Sequence, residues 1–127
     1  MKQPGDLARR FLALADRDIK TFSQLANIPD SDDEAVGFHA QQAVEKCLKA
    51  VLAKHRVEVH KTHDLQALLD LLAERKLPIP PMAKEIKTLN PFAVILRYDL
   101  LELEPLDRKQ AREILDKVRQ WAGEQIQ

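Results

Sequence analysis

The helical period of residues 38–52, FHAQQAVEKCLKAVL, constrains this chain more than any other stretch. At about 100° per residue, Val36, Ala40, Ala43, Val44, Cys47, Leu48, Val51 and Leu52 fall on one broad face. No Gly or Pro interrupts the run, and strong helix formers (Ala, Leu, Lys, Gln, Glu) fill it. A second stripe follows the apolar face: His39, Gln42, Lys46 and Lys49, spaced three and four residues apart and therefore stacked on one flank. The spacing predicts a helix over about 33–54, with an apolar side for the core and a cation-rich ladder on its shoulder. Gly37 weakens its first turns, which points to a close neighbouring backbone or a loose start.

The other long segments repeat that period. Leu7, Phe11, Leu14, Ala15, Ile19, Phe22 and Ala26 mark a first helix over 6–26. Asp18 lies on the edge of its stripe, where a bare carboxylate is costly, so an ion pair with a neighbouring helix is expected. Pro29 and the Asp/Ser cluster after it end this helix and can cap the next. Thr62 is the expected N-cap of a short helix over 64–75, buried through Leu65, Leu68, Leu69 and Leu72. The Pro-rich link 77–81 leads to a fourth helix starting near Pro81 and carrying Met82, Ile86 and Leu89. At Asn90-Pro91 it kinks, or ends and restarts with Asn90 as cap, before Phe92, Ile95 and Leu96. Asp107 with Gln110 resembles a capping box opening the last helix, whose Ala111, Ile114, Leu115, Val118, Trp121 and Ala122 face inward. With no strand or hairpin signature, 127 residues give one all-α domain, an up-and-down bundle of about five helices. Its expected core includes Leu7, Phe11, Val44, Leu48, Val51, Leu68, Leu72, Ile86, Ile95, Ile114, Val118 and Trp121.

Charge and motif content narrow the function. Twenty Lys plus Arg against twenty Asp plus Glu argue against an extended nucleic-acid groove, which needs excess positive charge. The single cysteine, Cys47, excludes an intramolecular disulfide and a multi-Cys zinc site, and its place on the apolar face reads as a structural thiol. No run of about 18 apolar residues and no apolar leader appears, so a cytoplasmic protein without a membrane span is expected. There is no Gly-rich phosphate loop, no paired metal-protease histidines and no Gly-x-Ser-x-Gly elbow. His55, His60 and His63 fit no common zinc spacing, so neither metal nor cofactor is expected. Among the remaining polar positions, His39, Gln42, Lys46 and Lys49 carry groups that donate well to phosphate; the alternative is a solvated helix flank. His63 lies at a helix start, where free N–H groups attract anions, or simply belongs to the capping turn. Arg97-Tyr98 offers a fork of donors for phosphate or carboxylate, or a structural pair with Asp18, Asp99 or Glu102.

Three separated stretches resemble one family. FHAQQAVEK at 38–46, THDL at 62–65, and Leu89-Asn90 leading to Arg97-Tyr98 are similar, in order and spacing, to the HEPN domains of prokaryotes. The resemblance covers about residues 6–124. It implies a helical bundle that commonly dimerises, stand-alone members being often encoded beside a minimal nucleotidyltransferase as a two-component or toxin–antitoxin pair. The family name reflects proposed nucleotide binding, and many members are RNases that use an Arg followed one or two helical turns later by a His. Here Arg97 is followed by YDLLELEPL, and no histidine occurs downstream. Arg56 and His63 have a similar spacing, but they fall in the link before the third helix, where the match is coincidental.

The resemblance and the missing histidine together imply a module with no catalytic residue, binding a nucleotide or anion through His39, Gln42, Lys46, Lys49, His63, Arg97 and Tyr98, or serving a nucleotidyltransferase partner. An RNase using Arg97, His63 or His39 in a non-standard set and a purely structural oligomerisation domain are the alternatives. A homodimer is expected, because Phe38 lies off the main apolar arc and the segment around Met82 and Phe92 has more apolar residues than one face needs.

Overall fold

The computed structural model describes residues 3–59, 61–97 and 105–127, residues 94–97 by their backbone alone. Helix α1 spans Pro4–Ala26, α2 Asp33–Lys54, α3 Leu65–Glu74, the single turn α4 Ala83–Ile86 and α5 Arg108–Gln125. A 3-10 helix, Lys87–Arg97, continues α4 directly. Among the described residues there is no strand, and the all-α bundle expected from the periodicity is the fold observed.

Helices α1 and α2 form an antiparallel pair with the most extensive packing in the molecule. α5 runs antiparallel to α1: Arg112 Nη1 donates to Ser23 Oγ at 2.8 Å, and Arg119 Nε to Asp16 Oδ1 at 2.7 Å. α3 and the 3-10 helix cover the remaining flank of α2. The middle of the bundle is filled by Phe22, Val44, Leu48, Val51, Leu68, Leu72, Ile86, Ile114 and Val118, all buried. Leu7 is not part of it: its side is 42% exposed at the open end of α1. Phe11 is only partly buried, packed against the core, and the side chain of Ile95 lies outside the described residues.

α2 is enclosed on more than its apolar arc. Gln41 is 0% and Glu45 3% exposed, because α3 and the 3-10 helix close over the flank that the helical wheel leaves polar. At Gly37 the close approach comes from a side chain: a Cβ there would lie 2.3 Å from Phe92 Cδ1. Phe92 itself is 4% exposed, so it fills the core and is not surplus surface as its sequence position indicated.

The ends of the elements depart from the sequence reading at three points. The third helix is capped by Asp64, whose Oδ1 accepts from Gln66 N at 2.9 Å, while Thr62 Oγ1 accepts from Asp64 N one step earlier. The fourth helix starts at Ala83, behind Met82 at φ 59°, and runs through Asn90-Pro91 as a 3-10 helix. Pro91 has no N–H to give and its ring crowds the carbonyl one turn back, so a tight, poorly bonded helix is tolerated where a regular α-helix is not. α2 and α3 both end in Schellman turns: Val57 N bonds Leu52 O at 3.0 Å, and Leu77 N bonds Leu72 O at 2.9 Å. The left-handed residue in each is basic, Arg56 at φ 60° and Lys76 at φ 58°.

One residue ties the bundle at the α1–α2 link. Arg108, the first residue of α5, reaches Ile28 O at 3.0 Å, Ser31 O at 2.6 Å and Asp33 Oδ1 at 3.0 Å, and Leu106 N donates to Asp33 Oδ2 at 3.1 Å. Asp33 is therefore engaged by α5 as well as standing in the first turn of α2.

Candidate functional site

Two acidic side chains organise the polar flank of α2. Asp18, on α1 and 9% exposed, receives His39 Nδ1 on Oδ1 at 3.0 Å and Lys46 Nζ on Oδ2. The expected ion pair of Asp18 with a neighbouring helix is thus present, and its partners are two rungs of the ladder on the same helical face, about two turns apart. Glu45 receives His63 Nδ1 on Oε1 at 2.9 Å and Lys49 Nζ on Oε2 at 3.1 Å. Gln41 extends this second cluster: its Nε2 donates to His63 O at 2.8 Å and reaches Glu45 Oε1 at 3.4 Å, while Gln42 Nε2 donates to Gln41 Oε1 at 2.7 Å.

The network continues into the third stretch. Asn90 Oδ1 accepts from Leu65 N and Asn90 Nδ2 donates to Asp64 Oδ1, both at 2.9 Å. Asn90 therefore caps α3 across space and does not restart its own helix. The three stretches around 38–46, 62–65 and 89–90 meet in one chain of hydrogen bonds. Among the described residues no buried side-chain N or O atom lacks a partner.

His39, Gln42, Lys46, Lys49 and His63 are thereby brought onto one flank. Arg97 ends the 3-10 helix that packs beside that flank, and Tyr98 lies outside the described residues. The members of this hydrogen-bond network that the sequence reading did not name as site residues are Glu45, Gln41 and Asn90. The helical period showed only a carboxylate and an amide just off the apolar arc, whose burial depends on what docks there; all three residues do lie in the stretches that carry the family resemblance.

The electrostatics follow from the pairing. A carboxylate only accepts, so in each pair the imidazole Nδ1–H is the donor. Lys46 and Lys49 each face one acidic group, so the ladder balances its own charge and any added anion competes with Asp18 and Glu45. His63 has the open side of the cluster, its side chain 53% exposed against 4% for Glu45. Among the described residues no group of three or more His, Cys, Asp or Glu is placed to hold a metal ion, and no helix is long and apolar enough to cross a membrane. Cys47 is far from this chemistry in character: burial pushes its thiol up to about 12.

A family model described as HEPN domain matches residues 8–123. Comparison with curated proteins and with solved structures finds no match.

Proposed function

The chain belongs to the HEPN domain family, and from that premise we propose that it is a non-catalytic member, binding a nucleotide weakly and working with a minimal nucleotidyltransferase in a two-component or toxin–antitoxin system. The observation that carries the non-catalytic reading is the segment after Arg97, which holds no histidine. Without it there is no general base in the family's position to take the 2′-hydroxyl proton of RNA. The nucleotide is placed on the flank of α2, against Gln42, Lys46 and Lys49 with His39 and His63, and towards Arg97 and Tyr98. Because Lys46 and Lys49 already serve Asp18 and Glu45, affinity is low, micromolar to millimolar or roughly 4 to 8 kcal/mol, and falls with salt.

Calorimetric titration with ATP, on wild type and on Lys46→Ala and Arg97→Ala, tests the site. Binding lost in either variant supports it; binding unchanged in both places it elsewhere, and no binding leaves the partner role alone. A second reading has its own observation: both imidazoles are oriented through Nδ1 by acidic side chains, the arrangement that prepares a histidine for general-base work. If purified protein cleaves single-stranded RNA and His63→Ala or His39→Ala stops it, that reading replaces the first.

A further inference from the structure

At the end of the α1–α2 pair opposite their link, the first turns of α1, the last turns of α2 and residues 56–59 enclose an open cavity of about 390 Å³. That size lies in the range of small-molecule sites. Its walls are hydrocarbon: Leu7, Phe11, Ala53, Val57 and Val59. Leu7, which its helical period assigns to the core, is 42% exposed because it faces this hollow.

The polar lining consists of Lys49, Arg56 and Glu58. Lys49 is already held by Glu45 at 3.1 Å. Among the described residues Arg56 makes no ion pair and no side-chain hydrogen bond, so its five donors are the site's available positive group. Arg56 also occupies the left-handed position of the α2 Schellman turn at φ 60°, where glycine is the relaxed choice. The helix dipole accounts for a cation there, but not for the apolar hollow beside it. Among the described residues no neutral hydrogen-bonding side chain lines the cavity, so a nucleobase would leave its polar edge unpaired against them at a cost. A hydrocarbon body leaves nothing unpaired.

We propose that this cavity binds a small amphipathic carboxylate, its apolar body against Leu7, Phe11 and Val57 and its head group on Arg56. This site borders the nucleotide flank at Lys49, but its head-group contact is Arg56, which is no part of that flank, and the proposal does not depend on nucleotide binding. The test is calorimetry with octanoate and 4-phenylbutyrate, with 1-octanol as the neutral control and AMP as the nucleotide control, combined with thermal melts and light scattering. Saturable binding of one acid per chain is expected, with 1-octanol at least about tenfold weaker. Arg56→Gly should lose at least about tenfold in affinity while its melting temperature stays level or rises, since glycine relieves the left-handed backbone. Leu7→Glu should also lose binding, Glu58→Gln should tighten it by removing a like charge, and Lys46→Ala should leave it unchanged. The proposal is overturned if neither acid binds, if octanol binds as well as octanoate, if AMP binding is lost in Arg56→Gly as the acids' binding is, or if Arg56→Gly binds the acids as wild type. It is equally overturned if Leu7→Glu turns a dimer into a monomer, since the hollow would then be covered by a second copy of the chain.

Discussion

Glu45 is 3% exposed and holds a lysine, a histidine and, through Gln41, the backbone of the α3 entry. Glu45→Ala strands Lys49 beside an apolar interior and is expected to cost about 3 kcal/mol or more, read from urea unfolding. At Gly37 two effects oppose each other: alanine gains up to about 1 kcal/mol of helix propensity, but its Cβ would meet the Phe92 ring at 2.3 Å. The ring is buried and cannot swing away, so overpacking wins; Gly37→Ala should destabilise by about 1–3 kcal/mol, and Phe92→Leu should recover part of it in the double variant. Cys47, held neutral by burial with its pKa raised from 9.0 to about 12, should resist alkylation in the native state and react only on unfolding. The same shift stabilises the fold fully below pH 9.0 and is lost as pH climbs from 9.0 towards about 12. Asp18 was legible in the sequence because a carboxylate on an apolar stripe demands a partner. Glu45 and Gln41 were not, because their local period puts them on a polar flank and only the docking of other elements buries them.

Helix extents were written in local signals where those signals act locally. Asp107 caps α5 through Gln110 N at 2.9 Å, and α2 runs over the residues its period marks. The segment through Pro91 was ambiguous for a physical reason: a proline excludes the regular helix but does not choose among kink, break and 3-10 turn. Asn90 likewise has the right chemistry for a cap, yet the helix it caps is α3, twenty-five residues away in sequence. Arg108 carried no signal at all, since its partners are carbonyls of a distant turn and the carboxylate of Asp33, all far away in sequence. Arg108→Lys replaces a planar fork by a single ammonium, and losing two or three of its bonds should cost about 2 kcal/mol, measurable as a fall in thermal midpoint with the helical circular dichroism retained.

For the whole molecule, the dimer expectation now rests on Phe38, half-buried and edge-on to His39, on the partly buried Met82, and on Ile28 and Ile79, 49% and 46% exposed. Light scattering should give twice the chain mass of 14.5 kDa; a single-chain mass at micromolar concentration would end that expectation. The pairing of α1 with α2 across a link of six residues has a further consequence, for the order of events in folding. Contacts close in sequence form at low entropic cost, so this hairpin should assemble in the transition state, with α5 docking afterwards. Stopped-flow experiments should find that Val51→Ala mainly slows folding, whereas Ile114→Val mainly speeds unfolding.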